Sequence, residues 1–349
     1  MEEMTIQTSS PTIPVTLLTG FLGSGKTTLI NHLLAENPNE KIIIIENEFG
    51  PINVDSHLLN VTTDIKIVEM TNGCICCTVQ GELTNALYQL HAQRIAGELL
   101  FDRLIIETTG LADPAPIIQL FFIDDLIRQS FQLDAIITLV DAQHILQHLD
   151  AHRVTLSQIG FADRIIVTKT DCVSNSEKLK VINRINNINH KATIIEAVNG
   201  QIPKSQWIDI HAFDLTDDLN INRGFFVINP AKKFMADFTV LPRQKQTQSW
   251  DDDICSYLFE AGELDIKKIG SFMENLVEQY GNDMLRYKGV LAIKNNPQRL
   301  IVQGVHKVVG FDYGSPWQDS AEKLSRLVII SRTLPFEELN QAFLTTVAS

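Results

Sequence analysis

Residues 20–28 read Gly20-Phe21-Leu22-Gly23-Ser24-Gly25-Lys26-Thr27-Thr28, and no other stretch of the chain constrains its fold as strongly. Gly20, Gly25, Lys26 and Thr27 fit G-x-x-x-x-G-K-[ST], a loop whose backbone N–H groups turn inward around phosphate oxygens. The motif is useful only between a buried strand and the N-terminus of a helix. Both are expected here: the apolar run Pro14–Thr19 reads as the strand and Leu29–Leu34 as part of the helix. Lys26 adds a point charge at the β- and γ-phosphates, and the Thr27 hydroxyl suits Mg²⁺.

The surrounding pattern repeats that theme. Apolar, β-rich runs at Val15–Thr19, Lys41–Glu46, Ile65–Val68, Arg103–Glu107, Ala135–Val140, Arg164–Thr168 and Thr193–Ala197 alternate with helix-length segments. Near-continuous Ile/Val/Leu runs predict strands buried on both faces of a mostly parallel sheet. The expected fold class is α/β, a P-loop NTPase over residues 13–228, preceded by a loose tail (1–12). Residues 229–250, rich in Lys, Gln, Pro and Thr, read as a linker or crossover. A smaller α+β domain is expected over 251–349, with strands near Ile254–Glu260, Leu285–Ile293, Arg299–Phe311 and Arg326–Arg332. Helices are expected there at Ile266–Tyr280 and Phe336–Val347.

Ligand residues of such a sheet belong just past the strand carboxyl ends. Glu107 ends one strand, and Thr108-Thr109-Gly110 follows; the carboxylate can reach Mg²⁺ and the Gly110 N–H a γ-phosphate. Thr168-Lys169-Thr170-Asp171 ends another and resembles the N-K-x-D base-recognition tetrad, with Thr168 in place of Asn. Asp171 can accept both N1–H and the 2-amino group of guanine, a match that adenine does not offer. Lys169 would lie along the ring face. GTP is therefore expected over ATP.

Gly73-Cys74-Ile75-Cys76-Cys77 places three thiols within four residues. They can converge on one soft cation, Zn²⁺ or Cu(I) among others. A vicinal redox pair and a set of buried small side chains are the other readings. A fourth ligand could come from Glu46, Glu48, a histidine or water. His144, His148 and His152 recur at i, i+4, i+8 and are expected to share one helix face, either as a weak second metal site or as a solvated surface.

These motifs together resemble the CobW-like metallochaperone GTPases, relatives of HypB and UreG. The matching stretches are Gly20–Thr28, Glu46–Gly50, Gly73–Cys77, Glu107–Gly110 with Leu111–Pro114, and Thr168–Asp171. Leu285–Gly289 and Gln303–His306 resemble the family's second domain, and the absence of a His-rich tract is similar to the YjiA-type branch. The resemblance implies slow GTP hydrolysis coupled to binding a transition metal, commonly Zn²⁺, and handing it to a client metalloprotein. Pro51 and Asn199 depart from residues common in the family, so secondary metal sites built on those positions are not carried over.

Composition narrows the partners. Forty-two acidic against 29 basic residues give a net charge of −13, which argues against nucleic acid or an anionic membrane. No apolar run is long enough to span a bilayer, and the acidic start Met1-Glu2-Glu3 does not read as a signal peptide. Clustered cysteines suit a reducing cytoplasm better than a disulfide framework. Whether the chain forms a homo-oligomer is left open. Two other functions fit the same residues: a nucleotide-dependent phosphotransferase or synthase with a structural metal, and a zinc-storage or sensor protein with incidental GTPase activity.

Overall fold

The computed structural model describes residues 12–47, 66–69, 78–212, 254–317 and 323–348. The chain divides into two compact units. One takes in the described residues up to Gln143, Phe161–Leu179 and Thr193 onward to 212; the other holds His144–Gly160, Lys180–Ala192 and the described residues from 254 on. Apart from Thr12, the expected tail and linker lie outside the described residues.

The first unit is built on a seven-stranded sheet. Its strands are β1 (Ile13–Gly20), β2 (Ile42–Asn47), β3 (Lys66–Glu69), β4 (Arg103–Thr108), β5 (Phe131–Asp141), β6 (Arg164–Thr168) and β7 (Thr193–Ala197). They lie in the order β3-β2-β4-β1-β5-β6-β7, and every neighbouring pair is parallel. All seven expected strands are present. Ile and Leu dominate because both faces of the central strands are covered: β4 is buried from end to end. Helix α1 (Lys26–Glu36) follows β1 and buries Leu29, Ile30, Leu33 and Leu34 against Leu18, Ile44, Ile105 and Leu139. Helices α2 (Thr78–Ile95), α3 (Ala115–Ile123) and α4 (Asp125–Ser130) complete this part of the chain up to β5.

The end of the sheet away from the strand carboxyl termini is closed by a charged clamp. Arg103, 4% exposed at the start of β4, donates to Glu40 (3.2 Å) and to Asp209. Lys204 pairs with the same Glu40. Beside it, Asp134 accepts from the backbone N–H groups of Asp209 (3.0 Å) and His211 (2.7 Å), and burial pushes its carboxyl above the ordinary range. These contacts tie residues 204–212 under the sheet. Replacing Arg103 by Met is expected to cost roughly 2–3 kcal/mol. That is below the 3–5 kcal/mol typical of breaking a buried pair, because Lys204 still pairs with Glu40 and Asp209 is half exposed. The thermal midpoint of the variant checks this; an unchanged midpoint would leave the clamp without energetic weight.

Helices α5 (Ile145–Ala151), α6 (Arg153–Phe161) and α7 (Asn175–Ile188) alternate with β5, β6 and β7 along the chain. The histidine row is only partly helical. Helix α5 is only seven residues long, with His144 at its N-cap and His152 at its C-cap, where the backbone turns extended (φ −133°, ψ 112°). The rings of His144 and His148 lie 6.1 Å apart and those of His148 and His152 6.2 Å. Among the described residues no group of three His, Cys, Asp or Glu side chains is placed to hold a metal.

The second unit carries a five-stranded antiparallel sheet ordered β11-β10-β9-β12-β8. The strands are β8 (Ile254–Ala261), β9 (Met284–Ala292), β10 (Gln298–Val305), β11 (Val308–Pro316) and β12 (Ser325–Arg332). Helices α8 (Ile266–Tyr280) and α9 (Phe336–Leu344) bury Ile269, Phe272, Met273, Leu276 and Phe343 with Phe259, Tyr287, Leu291, Val302 and Ile329 of the sheet. The strand expected over Arg299–Phe311 is instead the hairpin β10–β11. Its turn falls at His306, which takes a left-handed conformation (φ 51°) in a place that offers no Gly, Asn or Pro signal. Gly304 is required opposite Tyr287: a Cβ there would lie 2.2 Å from the ring.

Candidate nucleotide and metal site

Strand β1 delivers the phosphate loop at the carboxyl edge of the first sheet. Gly20 closes the strand at φ 137°, and a Cβ on it would stand 2.4 Å from the Leu139 carbonyl oxygen of β5. Gly25, left-handed at φ 99°, caps α1 without a side-chain hydrogen bond, and the helix has no acid in its first turn. Its leading N–H groups therefore face outward as an anion site. Lys26, 6% exposed, turns back over the loop: its Nζ donates to Gly20 O (3.1 Å) and stands 3.9 Å from Glu107 Oε1. Ser24 Oγ is buried in the same loop and has no protein hydrogen-bond partner among the described residues. A pre-turned loop, an ammonium and an orphaned hydroxyl fit a bound phosphate chain.

The neighbouring strand ends supply carboxylates. Glu107 on β4 sits beside Leu18 of β1 on one side and Glu46 of β2 on the other, with Glu69 of β3 next in line. Glu46 and Glu107 are both buried. Thr27, half-buried at the start of α1, and Glu107 offer the hard oxygen donors that Mg²⁺ takes. Thr108 Oγ1 donates to Thr19 Oγ1 (3.0 Å), fastening β4 to β1 just below the loop. The chain then turns at Gly110, where a Cβ would meet the Leu22 backbone N at 2.4 Å. Glycine is therefore needed for the Gly110 segment to touch the phosphate loop. Asp113 accepts from Ala115 N (3.0 Å) and starts α3.

Strand β6 brings in the tetrad. Thr168 Oγ1 donates to Ser24 O (2.8 Å), so the residue standing where the tetrad usually has Asn links the base-reading loop to the phosphate loop. Lys169 is left-handed (φ 56°), and its Nζ pairs with Asp141 Oδ2 at 2.7 Å. Asp141 is buried at the end of β5, directly beside Thr168 in register, and also accepts from Gln143 N. Asp171 lies exposed in a short 3₁₀ turn, Thr170–Cys172, open to a ligand. After β7, Asn199 and Gly200 turn with positive φ, and a Cβ on Gly200 would stand 3.0 Å from Thr28 O of α1.

The structure thus brings together Gly20–Thr28, Glu46, Glu107, Gly110 and Thr168–Asp171. Cys74, Cys76, Cys77 and Glu48 lie outside the described residues. Sequence reasoning missed Asp141 as a site residue. Its signal was present: an acid closing an apolar strand, as Glu107 and Glu46 do.

Known proteins place this arrangement. Residues 14–196 match the CobW/HypB/UreG nucleotide-binding domain, and residues 254–347 match the cobalamin synthesis protein CobW C-terminal domain. The chain is 40% identical over 333 residues to the zinc chaperone YjiA of Escherichia coli, covering 95% of this chain and 98% of that protein. It is 29% identical over 370 residues to the zinc-regulated GTPase metalloprotein activator 1 of Saccharomyces cerevisiae, covering 96% and 83%. The crystal structure of Zn(II)-bound YjiA GTPase from E. coli superposes with a TM-score of 0.73 at 34% identity, covering 97% of this chain and all of that one. With both domains matched in order, the chain belongs to the CobW/HypB/UreG family of P-loop GTPases, in the form that carries a CobW C-terminal domain.

Proposed function

We propose that the chain is a metallochaperone GTPase whose nucleotide state controls a thiolate metal site at Cys74, Cys76 and Cys77, and which hands a transition metal, zinc above others, to a client metalloprotein. The observation that carries this is the position of the cysteines between two site elements. Strand β3 ends at Glu69, in line with Glu46 and Glu107, and α2 begins at Thr78, one residue after Cys77. The thiols therefore lie in the segment between the edge strand of the first sheet and the start of α2. Relatives named as zinc chaperones, and a Zn(II)-bound structure of one of them, support zinc as the cargo.

In this reading Lys26 and the loop N–H groups neutralise the β- and γ-phosphates, while Thr27 and Glu107 hold Mg²⁺. Bound there, Mg²⁺ would supply positive charge to offset that of the phosphates. The work left to the protein is positioning and electrostatic stabilisation. Thr168 holds the base-reading loop to the phosphate loop, and Asp171 with Lys169 selects guanine. Glu46 joins the thiolates as a candidate fourth ligand, and Glu48 is a second.

Coupling between the sites is a free energy and must be reciprocal. Zn²⁺ affinity is expected to differ by at least about tenfold between the GDP-bound chain and the chain with a non-hydrolysable GTP analogue. GTP affinity should shift by the same factor when Zn²⁺ is bound. Competition titrations with a chromogenic chelator measure the first and nucleotide fluorescence the second. Equal zinc affinity in all nucleotide states would sink the proposal and favour simple storage.

A further inference from the structure

Two hydroxyls of the phosphate site, Ser24 Oγ and Thr109 Oγ1, are buried without a hydrogen-bond partner among the described residues. Ser24 belongs to the loop itself, and a bound phosphate chain accounts for it. Thr109 comes from elsewhere in the sequence, directly after β4 ends at Thr108. A buried hydroxyl with no partner forfeits its hydration, and folded proteins keep few of them. Nothing local requires one here. Thr108 commits its own hydroxyl to Thr19 (3.0 Å), whereas Thr109 contributes a carbonyl, which accepts from Ala112 N (3.1 Å) and closes the turn.

That turn fixes which end of a nucleotide the hydroxyl meets. Gly110 is buried so close to the phosphate loop that a Cβ on it would stand 2.4 Å from Leu22 N. Glu107, just upstream, stands 3.9 Å from the Lys26 ammonium that the β- and γ-phosphates meet. Thr109 lies between these two residues in the chain, at the terminal phosphate and not at the base. Every other group assigned to the γ-phosphate is a donor: the Lys26 ammonium, the loop N–H groups and the Gly110 N–H. An attacking water needs an acceptor for one of its protons. A threonine hydroxyl can accept from water while it donates to a phosphate oxygen.

We propose that Thr109 is a further catalytic residue of the GTPase, its hydroxyl holding the attacking water against the γ-phosphate. The water oxygen bonds to phosphorus as the bond from phosphorus to the β–γ bridging oxygen breaks, and GDP leaves with that electron pair. One proton of the water passes to a γ-phosphate oxygen, the other stays on the attacking oxygen, and Thr109 is unchanged. Phosphoryl transfer is largely a matter of positioning, so the hydroxyl acts on rate more than on affinity. The proposal rests on the assignment of Lys26 and Glu107 to the phosphate site.

The full chain carrying Thr109→Val, Thr109→Ser or Lys26→Ala tests it. Three quantities are measured: single-turnover hydrolysis, affinity for GDP and for a non-hydrolysable GTP analogue, and the thermal midpoint without nucleotide. Thr109→Val keeps the shape and removes the hydroxyl. It is expected to slow hydrolysis by about 10–10²-fold, with both affinities within about threefold of wild type. Its thermal midpoint should be kept or raised, since the hydroxyl removed has no partner among the described residues to lose. Thr109→Ser restores the hydroxyl and should hydrolyse GTP within about fivefold of the wild-type rate. The proposal is overturned if Thr109→Val hydrolyses GTP normally while Lys26→Ala is slow, or if Thr109→Ser is as slow as Thr109→Val. A Thr109→Val variant whose midpoint or GDP affinity falls along with its rate overturns it equally, because the residue is then structural or a binding group. If Lys26→Ala also hydrolyses GTP at the wild-type rate, the phosphate-site assignment fails and the role of Thr109 with it.

Discussion

Lys26→Ala is expected to slow GTP hydrolysis by about 10²–10³, the cost of removing one pre-aimed donor from a developing charge, or about 2.7–4 kcal/mol. The ammonium is already held over the loop by Gly20 O at 3.1 Å, so bound phosphate finds it in place with little reorganisation. Its second neighbour, Glu107 at 3.9 Å, gives the substitution a second effect. With Lys26 gone, a buried carboxylate loses this cation, and the thermal midpoint without nucleotide should fall as well. GDP binding should suffer less than hydrolysis, because the loop N–H groups and the start of α1 still face the β-phosphate. Single-turnover hydrolysis beside GDP titration separates the two. A hydrolysis rate within threefold of wild type would remove Lys26 from the machinery.

Much of the site was legible because its chemistry is local in sequence. The phosphate loop, the acid closing β4 and the tetrad closing β6 each occupy fewer than ten residues, and each follows a strand that Ile and Val announce. What joins them was not legible. The bond from Thr168 to Ser24 spans 144 residues and the ion pair from Lys169 to Asp141 spans 28. Such pairs exist only once the strand order sets β6 beside β5 and β5 beside β1. The clamp at Arg103 reaches Asp209, 106 residues away, for the same reason. Local signals also failed where the turn carried no turn residue. His306 bends left-handed without Gly or Asn, so β10 and β11 read as one strand. The histidine row had the right spacing for one face, but α5 ends at its third member.

The Thr168 bond also changes what the departure from the usual tetrad means. Asn at that position would bring an amide to the phosphate loop; Thr brings a hydroxyl, which reaches Ser24 O at 2.8 Å and Val140 O at 3.3 Å. One donor thus holds both the loop and the end of β5. Lys169, pinned to Asp141, is then fixed at one end, leaving its methylene stem to lie along a ring. The frame for a base is rigid while its reader, Asp171, stays exposed.

Asp171→Asn should therefore change which base is read without disturbing the frame. A carboxylate accepts two hydrogen bonds from guanine, at N1–H and at the 2-amino group. Each bond to a charged group is worth about 1.5–3 kcal/mol, so losing the match should weaken GTP by about 10²–10⁴. Asparagine offers one acceptor and one donor. Xanthine keeps N1–H but carries an oxygen at position 2, so the amide can accept from the first and donate to the second. The variant is expected to bind and hydrolyse XTP better than GTP, reversing the wild-type order, with its thermal midpoint unchanged because the side chain is exposed. ATP presents an acceptor at N1 and only C–H at position 2, so it can take one hydrogen bond from the amide against two for XTP and should stay weaker than XTP. Competition of XTP, GTP and ATP against a fluorescent nucleotide, followed by hydrolysis of whichever binds, measures the reversal. GTP binding unchanged in the variant would mean that the tetrad closing β6 does not read the base, and guanine selection would have to be sought at the turn after β7, where Gly200 approaches α1.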